Sequence, residues 1–316
     1  VKTILYKSDP ARGALWQRIL ADIAPQYRFI QWTDLDFSRG DPAVFAEVEY
    51  LVVWMPPEGL AQRFPQLKVL FSIGAGVDQF DLGALPAGLP VVRMVEPGLT
   101  QGMVEYVTFA ALGLHRDMPR YLRQQREQQW KSHPMVSASK RRIGVMGLGE
   151  LGEATLKMLM NFGFECHGWS RSGKAIEGVT GWAGVEQLAQ FLAHSDILVC
   201  LLPLTADTRG MLNAELFALL PQGASLIQVG RGAHLVADDL LAALDCGQLG
   251  AAVLDVTDPE PLPADDALWS HPAVWITPHI ASQTQPETAV NALLANLQCF
   301  EQGRPMQGEI DKIRGY

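Results

Sequence analysis

Short apolar runs recur along the whole chain, separated by stretches in which apolar residues return every three or four positions. Runs of this length read as strands buried on both faces, and the three-to-four spacing reads as helix. Strands are expected at 3–7, 28–32, 50–55, 67–73 and 91–94, and a second set at 142–146, 164–169, 197–202, 225–229, 251–256 and 274–277. Helical segments lie between most of them; in 237–245, Leu240, Leu241 and Leu244 mark one face. Strand and helix in alternation predict an α/β fold of parallel sheets covered on both faces.

Two stretches read as junctions. In 96–118, Pro97-Gly98 breaks the chain and a long apolar-rich helix follows; in 281–303, a turn again leads into a long helix. The expected organisation is therefore two Rossmann-like, doubly wound parallel-sheet domains with a cleft between them. One is built from residues 1–98 and 285–316, the other from 99–284. Clefts of this kind hold small ligands.

Composition narrows the function classes. Of the 316 residues 48% are hydrophobic and 19% charged, ordinary for an enzyme-sized globular chain, and the net charge of −9 argues against nucleic acid as a partner. The N-terminal VKTILYKSDP does not read as a signal peptide, and no apolar run is long enough to span a membrane. The four cysteines, Cys166, Cys200, Cys246 and Cys299, are scattered without a CxxC, which argues against metal and thiol redox chemistry. They are read as buried thiols in a reduced, cytoplasmic protein.

The first chemical motif is Gly147-x-Gly149-x-x-Gly152, between the expected strand at 142–146 and a helix ending near Phe162-Gly163. In that setting each glycine has its own role. Gly147 permits the tight turn, Gly149 leaves room for a pyrophosphate, and Gly152 lets the helix pack closely. The helix N-terminus then offers N–H groups to phosphate. About twenty residues on, an NAD-binding unit is expected to carry a carboxylate for the adenosine ribose. Here the sequence reads Cys166-His-Gly-Trp-Ser-Arg-Ser-Gly-Lys174, with no carboxylate before Glu177. Arg171, with Ser170 and Ser172 beside it and Lys174 adding charge, suits a 2′-phosphate, so NADP(H) is expected in preference to NAD(H).

Arg231, Glu260 and His279 each follow an expected strand, at the edge where open α/β sheets bind ligands. Taken singly, each also reads as a structural or solvated residue; together at this edge, His279 is suited to give or take a proton, Glu260 to orient the ring and favour its cation, and Arg231 to hold a carboxylate. The turn Gly74-Ala75-Gly76-Val77 presents backbone N–H groups that suit the same carboxylate. No metal is needed.

The chain resembles the D-isomer-specific 2-hydroxyacid dehydrogenases over nearly its whole length. The resemblance rests on the glycine motif, Val229-Gly230-Arg231-Gly232, Leu254-Asp255-Val256 with Glu260-Pro261-Leu262, and Leu268-Trp269 leading to Thr277-Pro278-His279-Ile280. Within the family it is most similar to the bacterial glyoxylate/hydroxypyruvate reductase A type, through Val53-Trp54-x-Pro56-Pro57, residues 70–78, Trp169-Ser170-Arg171, Leu202-Pro203 and the ending Ile313-Arg314-Gly315-Tyr316. The resemblance implies Arg231, Glu260 and His279 as catalytic residues and Asp255 as the partner of the nicotinamide carboxamide. The implied cofactor site runs through Gly147, Leu148, Gly149, Glu150, Leu151 and Gly152, then Trp169, Ser170, Arg171 and Ser172. It continues with Leu202, Pro203 and Thr208, and with Val229, Gly230, Arg231 and His279. Met103 either reaches the nicotinamide or lies in the core. Trp54 and Trp269 either wall the substrate pocket or serve packing.

The resulting expectation is NADPH-dependent reduction of glyoxylate to glycolate and of hydroxypyruvate to D-glycerate by a cytoplasmic homodimer. A reductase of a larger 2-oxo acid and a non-catalytic dinucleotide sensor are the alternatives.

Overall fold

A computed structural model describes residues 1–34 and 41–316. The elements run β1 (Lys2–Lys7), α1 (Pro10–Ile23), β2 (Tyr27–Gln31), α2 (Pro42–Ala46), β3 (Val48–Val53), α3 (Leu60–Arg63), β4 (Val69–Ser72), β5 (Val91–Val92), α4 (Pro97–His115) and α5 (Met118–Arg126). Then follow β6 (Arg142–Met146), α6 (Glu150–Met160), β7 (Glu165–Ser170), β8 (Thr180–Ala183), α7 (Leu188–Ala193), β9 (Ile197–Cys200) and α8 (Ala214–Ala218). The chain closes with β10 (Ala224–Gln228), α9 (Ala237–Asp245), β11 (Leu249–Leu254), β12 (Val274–Ile276) and α10 (Pro286–Glu301). It divides into two compact units, Val1–Leu99 with Gln283–Tyr316, and Thr100–Ser282.

The first unit carries a five-stranded parallel sheet in the order β2-β1-β3-β4-β5, the flavodoxin-like arrangement. Its strands are apolar on both faces because both are covered. Ile4, Tyr6, Tyr50 and Val52 pack toward Trp16 and Leu20 of α1 and Leu293 and Leu297 of α10, whereas Leu5, Leu51 and Val53 pack toward Phe45 and Phe64.

The second unit carries a seven-stranded parallel sheet in the order β12-β11-β10-β9-β6-β7-β8. The strand order reverses between β6 and β9, so the connections leave that pair in opposite directions and open a crevice at their C-terminal ends. Because all seven strands are parallel, the segments that follow β6, β7, β9, β10, β11 and β12 emerge on one edge. Every cofactor and catalytic residue expected from Gly147 onward lies within these strands' ends or the segments that follow them.

Three expectations change. Thr180–Ala183 is an edge strand beside β7; its short, glycine-containing, partly exposed sequence carries no apolar run to reveal it. Pro97-Gly98 lies within the first turn of α4 rather than breaking the chain before it, in keeping with proline's fit at a helix start. Cys166 and Cys200 are buried, and burial pushes their thiols up to about 12, but Cys246 is exposed in the turn after α9 and Cys299 is only partly buried. Among the described residues no helix is long and apolar enough to cross a membrane.

Candidate active site

The glycine turn after β6 has the geometry its sequence predicts. Gly147 has φ +101°, which L side chains rarely adopt, and a Cβ there would lie 2.6 Å from the carbonyl oxygen of Leu201. A Cβ on Gly152 would come within 1.9 Å of the Gly147 carbonyl oxygen, so the first turn of α6 is pressed against the loop. A Cβ on Gly149 would meet no protein atom within 4 Å, so the space above that residue is open. Gly149 is the N-cap of α6 and supplies no side chain to its free N–H groups, which leaves them to a ligand. Leu148 is buried in the core, Glu150 is exposed and Leu151 is partly buried.

At the end of β7 the four neighbours part company. Trp169 is buried, its indole N–H donating to the Gly184 carbonyl at 2.8 Å, while its own carbonyl accepts from Gly147 N–H at 2.9 Å. Its side chain packs in the core, and its main chain bonds the glycine turn. Ser170 is partly buried, and Arg171 and Ser172 are exposed; the Arg171 guanidinium lies 3.6 Å from the Asp207 carboxylate. Lys174 is engaged by Glu153 of α6 at 2.6 Å, and Lys157 meets the same carboxylate at 2.6 Å. These lysines hold Glu153 down at about 2. Lys174 therefore pins the loop after β7 to α6.

After β9, Thr208 closes a small loop on itself: its hydroxyl accepts from Thr205 N–H at 2.8 Å and donates to the Pro203 carbonyl at 2.8 Å. Leu202 is buried beside it. After β10, the main chain of Arg231 is enclosed by two buried side chains that the sequence motifs do not single out. The Gln228 amide donates to the Arg231 carbonyl at 2.8 Å and accepts from Gly230 N–H at 3.1 Å. His234 Nδ1 accepts from Arg231 N–H at 3.1 Å. Val229 and Gly230 are buried, and the Arg231 guanidinium also reaches the Gly230 carbonyl at 2.8 Å. A Cβ on Gly232 would lie 2.0 Å from the Thr257 carbonyl, so this turn runs directly against the loop after β11.

Asp255, at the end of β11, is 2% exposed, and its carboxylate accepts from Thr277 Oγ1 at 2.6 Å and from the N–H groups of Ile280 and Ala281, each at 2.8 Å. Its carbonyl accepts from His279 N–H at 2.8 Å. Much of its hydrogen-bonding capacity thus shapes the segment that carries His279. That segment needs the support: His279 has φ +54°, a left-handed conformation that costs a non-glycine residue about 1–3 kcal/mol. The Tyr106 hydroxyl from α4 lies 2.5 Å from Thr277 Oγ1. Thr277 gives its proton to a carboxylate, which can only accept, so Tyr106 donates to Thr277; burial pushes the phenol up to about 12.

Glu260 divides its two oxygens: Oε1 accepts from Thr257 N–H at 3.1 Å and Oε2 from His279 Nδ1 at 2.8 Å. A carboxylate only accepts, so Nδ1 carries a hydrogen and Nε2 is left as the nitrogen that takes up or releases a proton. Met103 is buried in the core of the second unit. Trp269 is half exposed, its indole N–H held by the Pro263 carbonyl at 2.9 Å. Among the described residues, no group of three or more His, Cys, Asp or Glu side chains is placed to hold a metal ion.

In the first unit, Gly74, Ala75, Gly76 and Val77 follow β4, anchored by the buried Ser72, whose hydroxyl donates to the Gly76 carbonyl at 2.8 Å. Trp54 is 42% exposed, and its ring lies over Gly74, where a Cβ would sit 3.0 Å from Cζ3.

The chain is similar to known proteins over most of its length. Residues 108–281 match the family model for the D-isomer specific 2-hydroxyacid dehydrogenase NAD binding domain. The chain is 41% identical to a glyoxylate/hydroxypyruvate reductase A of Yersinia enterocolitica, over 95% of this chain and 96% of that one. It is 38% identical to one from Salmonella heidelberg, over 99% of each chain. Among solved structures it is similar to a D-isomer specific 2-hydroxyacid dehydrogenase of Xanthobacter autotrophicus Py2 in complex with NADPH and MES, with TM-score 0.93, 40% identity and coverage of 100% and 99%. It is also similar to an NADPH-dependent glyoxylate/hydroxypyruvate reductase of Sinorhizobium meliloti in complex with NADP and sulfate, with TM-score 0.91, 35% identity and full coverage of both chains. On its motifs, its fold and these matches, the chain belongs to the D-isomer specific 2-hydroxyacid dehydrogenase family.

Proposed function

We propose that the protein is an NADPH-dependent reductase of small 2-oxo acids, converting glyoxylate to glycolate and hydroxypyruvate to D-glycerate. The observation that carries this reading is the Glu260–His279 pair, on the same sheet edge as a glycine turn with open space above Gly149. The names of the relatives from Yersinia, Salmonella and Sinorhizobium support the substrate class.

NADPH, when bound, supplies the hydride that adds to C2 of the oxo acid. Its pyrophosphate fits the glycine turn and the uncapped start of α6, and Arg171 with Ser170 and Ser172 fits the 2′-phosphate. The NADP(H) complexes of the Xanthobacter and Sinorhizobium proteins support that choice. His279, oriented through Nδ1, gives a proton from Nε2 to the carbonyl oxygen, and Glu260 stabilises the ring's cation before transfer. Arg231 holds the substrate carboxylate, with its main chain fixed by Gln228 and His234. The unit Thr100–Ser282 is read as the nucleotide domain. The first unit is read as the substrate domain, in which the N–H groups of Gly74–Val77 suit a carboxylate.

The reading includes a cytoplasmic location and a homodimer, the dimer supported by the exposed apolar side chains Phe109, Met118, Trp130 and Met135 of the second unit. Light scattering on the purified protein tests the dimer. The activity is tested with a panel of 2-oxo acids, NADPH and NADH side by side, and chiral analysis of the glycerate formed. Turnover of glyoxylate and hydroxypyruvate with NADPH, giving D-glycerate, supports the reading; no turnover of any small 2-oxo acid contradicts it.

A further inference from the structure

His234 is fully buried, and neither its sequence context nor the reaction gives it a role. Its two ring nitrogens meet two different segments of the sheet edge. Nδ1 lies 3.1 Å from Arg231 N, and Nε2 lies 3.2 Å from the Pro203 carbonyl oxygen. A main-chain N–H can only donate and a carbonyl can only accept, so the ring is the neutral tautomer with its hydrogen on Nε2. The Pro203 carbonyl is the same atom that receives the Thr208 hydroxyl. Gly230 makes room for this ring: a Cβ there would lie 3.0 Å from His234 Nδ1 and 3.2 Å from the Leu202 carbonyl oxygen. The main chain of His234 is anchored too, its carbonyl accepting from Leu212 N–H at 2.9 Å. The imidazole is thus a fixed strut between the turn that carries Arg231 and the loop after β9.

We propose that His234 is a positioning residue that sets the main chain, and through it the guanidinium, of Arg231 for the substrate carboxylate. This rests on the reading of Arg231 as the carboxylate's partner. A guanidinium fork recognises a carboxylate only when both of its donors are aimed correctly, so a small rotation of the Arg231 main chain weakens binding of the oxo acid. Asn in place of His234 puts an amide oxygen close to the position of Nδ1 and can still accept from Arg231 N–H. Leu fills the space but leaves that N–H without an acceptor. Gln keeps a donor for Pro203 but offers nothing well placed for Arg231.

The test compares His234→Asn, His234→Gln and His234→Leu with wild type in steady-state reduction of glyoxylate, alongside Arg231→Lys and the double variant His234→Leu/Arg231→Lys. Thermal melts confirm that each variant is folded. The expected result is a glyoxylate KM raised about tenfold in His234→Leu and His234→Gln, restored to near wild type in His234→Asn, with kcat changed much less. The double variant should be no worse than Arg231→Lys alone, because the strut acts through the arginine. Equal KM in His234→Leu and wild type overturns the proposal, as does an effect of His234→Leu that simply multiplies that of Arg231→Lys. If Arg231→Lys itself leaves the glyoxylate KM unchanged, the reading of Arg231 fails, and the proposal with it. A raised KM in Arg231→Lys beside an unchanged one in His234→Leu overturns the strut alone. Should His234→Leu not fold, the contrast between His234→Asn and His234→Gln decides: equal KM values overturn the proposal.

Discussion

Glu260 Oε2 stands 2.8 Å from His279 Nδ1, and this pairing decides which nitrogen of the ring exchanges a proton. Gln at position 260 keeps an acceptor for Nδ1–H but removes the charge that favours an imidazolium beside it. Reduction needs a proton on the ring, so Glu260→Gln should lower kcat/KM for glyoxylate while NADPH still binds. A kcat/KM of the variant equal to that of the wild type would take Glu260 out of the chemistry and leave it as a prop for the loop around Thr257.

Gly149 and Gly152 are two residues of one motif, yet they should fail differently. A Cβ on Gly152 strikes the Gly147 carbonyl oxygen at 1.9 Å, whereas one on Gly149 meets nothing within 4 Å. Gly152→Ala should lower the melting temperature of the protein without cofactor as well as weaken NADPH binding. Gly149→Ala should melt like wild type without cofactor and bind NADPH more weakly, because only a ligand occupies the space its methyl would enter. Unchanged NADPH affinity in Gly149→Ala would place the pyrophosphate elsewhere.

Arg171 should decide between the two nicotinamide cofactors. Its side chain is 57% exposed, with the Asp207 carboxylate 3.6 Å from the guanidinium, and Glu153 engages Lys174, so Arg171 is the cation best placed for a 2′-phosphate. Arg171→Ala should raise the KM for NADPH about ten- to a hundredfold and that for NADH little, the range expected of one charge-assisted hydrogen bond. An unchanged ratio of the two constants would refute the assignment.

Glu153 gives a pH-dependent stability. Hydrogen bonds from Lys157 and Lys174 lower its titration from 4.5 to about 2 in the folded protein. A carboxylate depressed on folding stabilises the fold above its unfolded value and loses that contribution as pH falls toward its folded value. The melting temperatures of wild type and Glu153→Gln should therefore differ most above pH 5 and converge as pH falls below 4.5. The difference should be small, since the carboxylate is partly open to solvent screening. A constant difference down to pH 2 would contradict the linkage.

Much of the architecture was legible in the apolar runs, because parallel strands covered on both faces leave continuous hydrophobic segments. Ala237–Asp245 is helical over the span its leucines mark. The strand at Thr180–Ala183 left no such trace, since an edge strand with Gly181 at its centre needs no apolar run. The pairing of Glu260 with His279 was expected from their residue types and their places after strands. The supports beneath the site were not. Gln228 and His234 flank Arg231 three residues to either side, and Tyr106 reaches Thr277 across 171 residues of sequence. Polar side chains that bond main-chain atoms leave no periodic signal, and only the fold shows which atoms they meet. Trp169 is the converse case. It stands two residues from Arg171 in sequence, but it lies within β7 and its ring packs in the core, whereas Arg171 lies beyond the strand's end.

The central claim is that His279 gives the proton in NADPH-dependent reduction of a small 2-oxo acid. It is tested most directly by the initial rate of NADPH oxidation with saturating glyoxylate, for wild type and His279→Ala, with NADPH binding measured on the same samples by fluorescence. The expected result is steady turnover by the wild type and a kcat lower by about 10²–10⁴-fold in His279→Ala, with NADPH bound equally well by both. A wild type that binds NADPH but does not oxidise it with glyoxylate, or a His279→Ala variant that turns over at the wild-type rate, would contradict it.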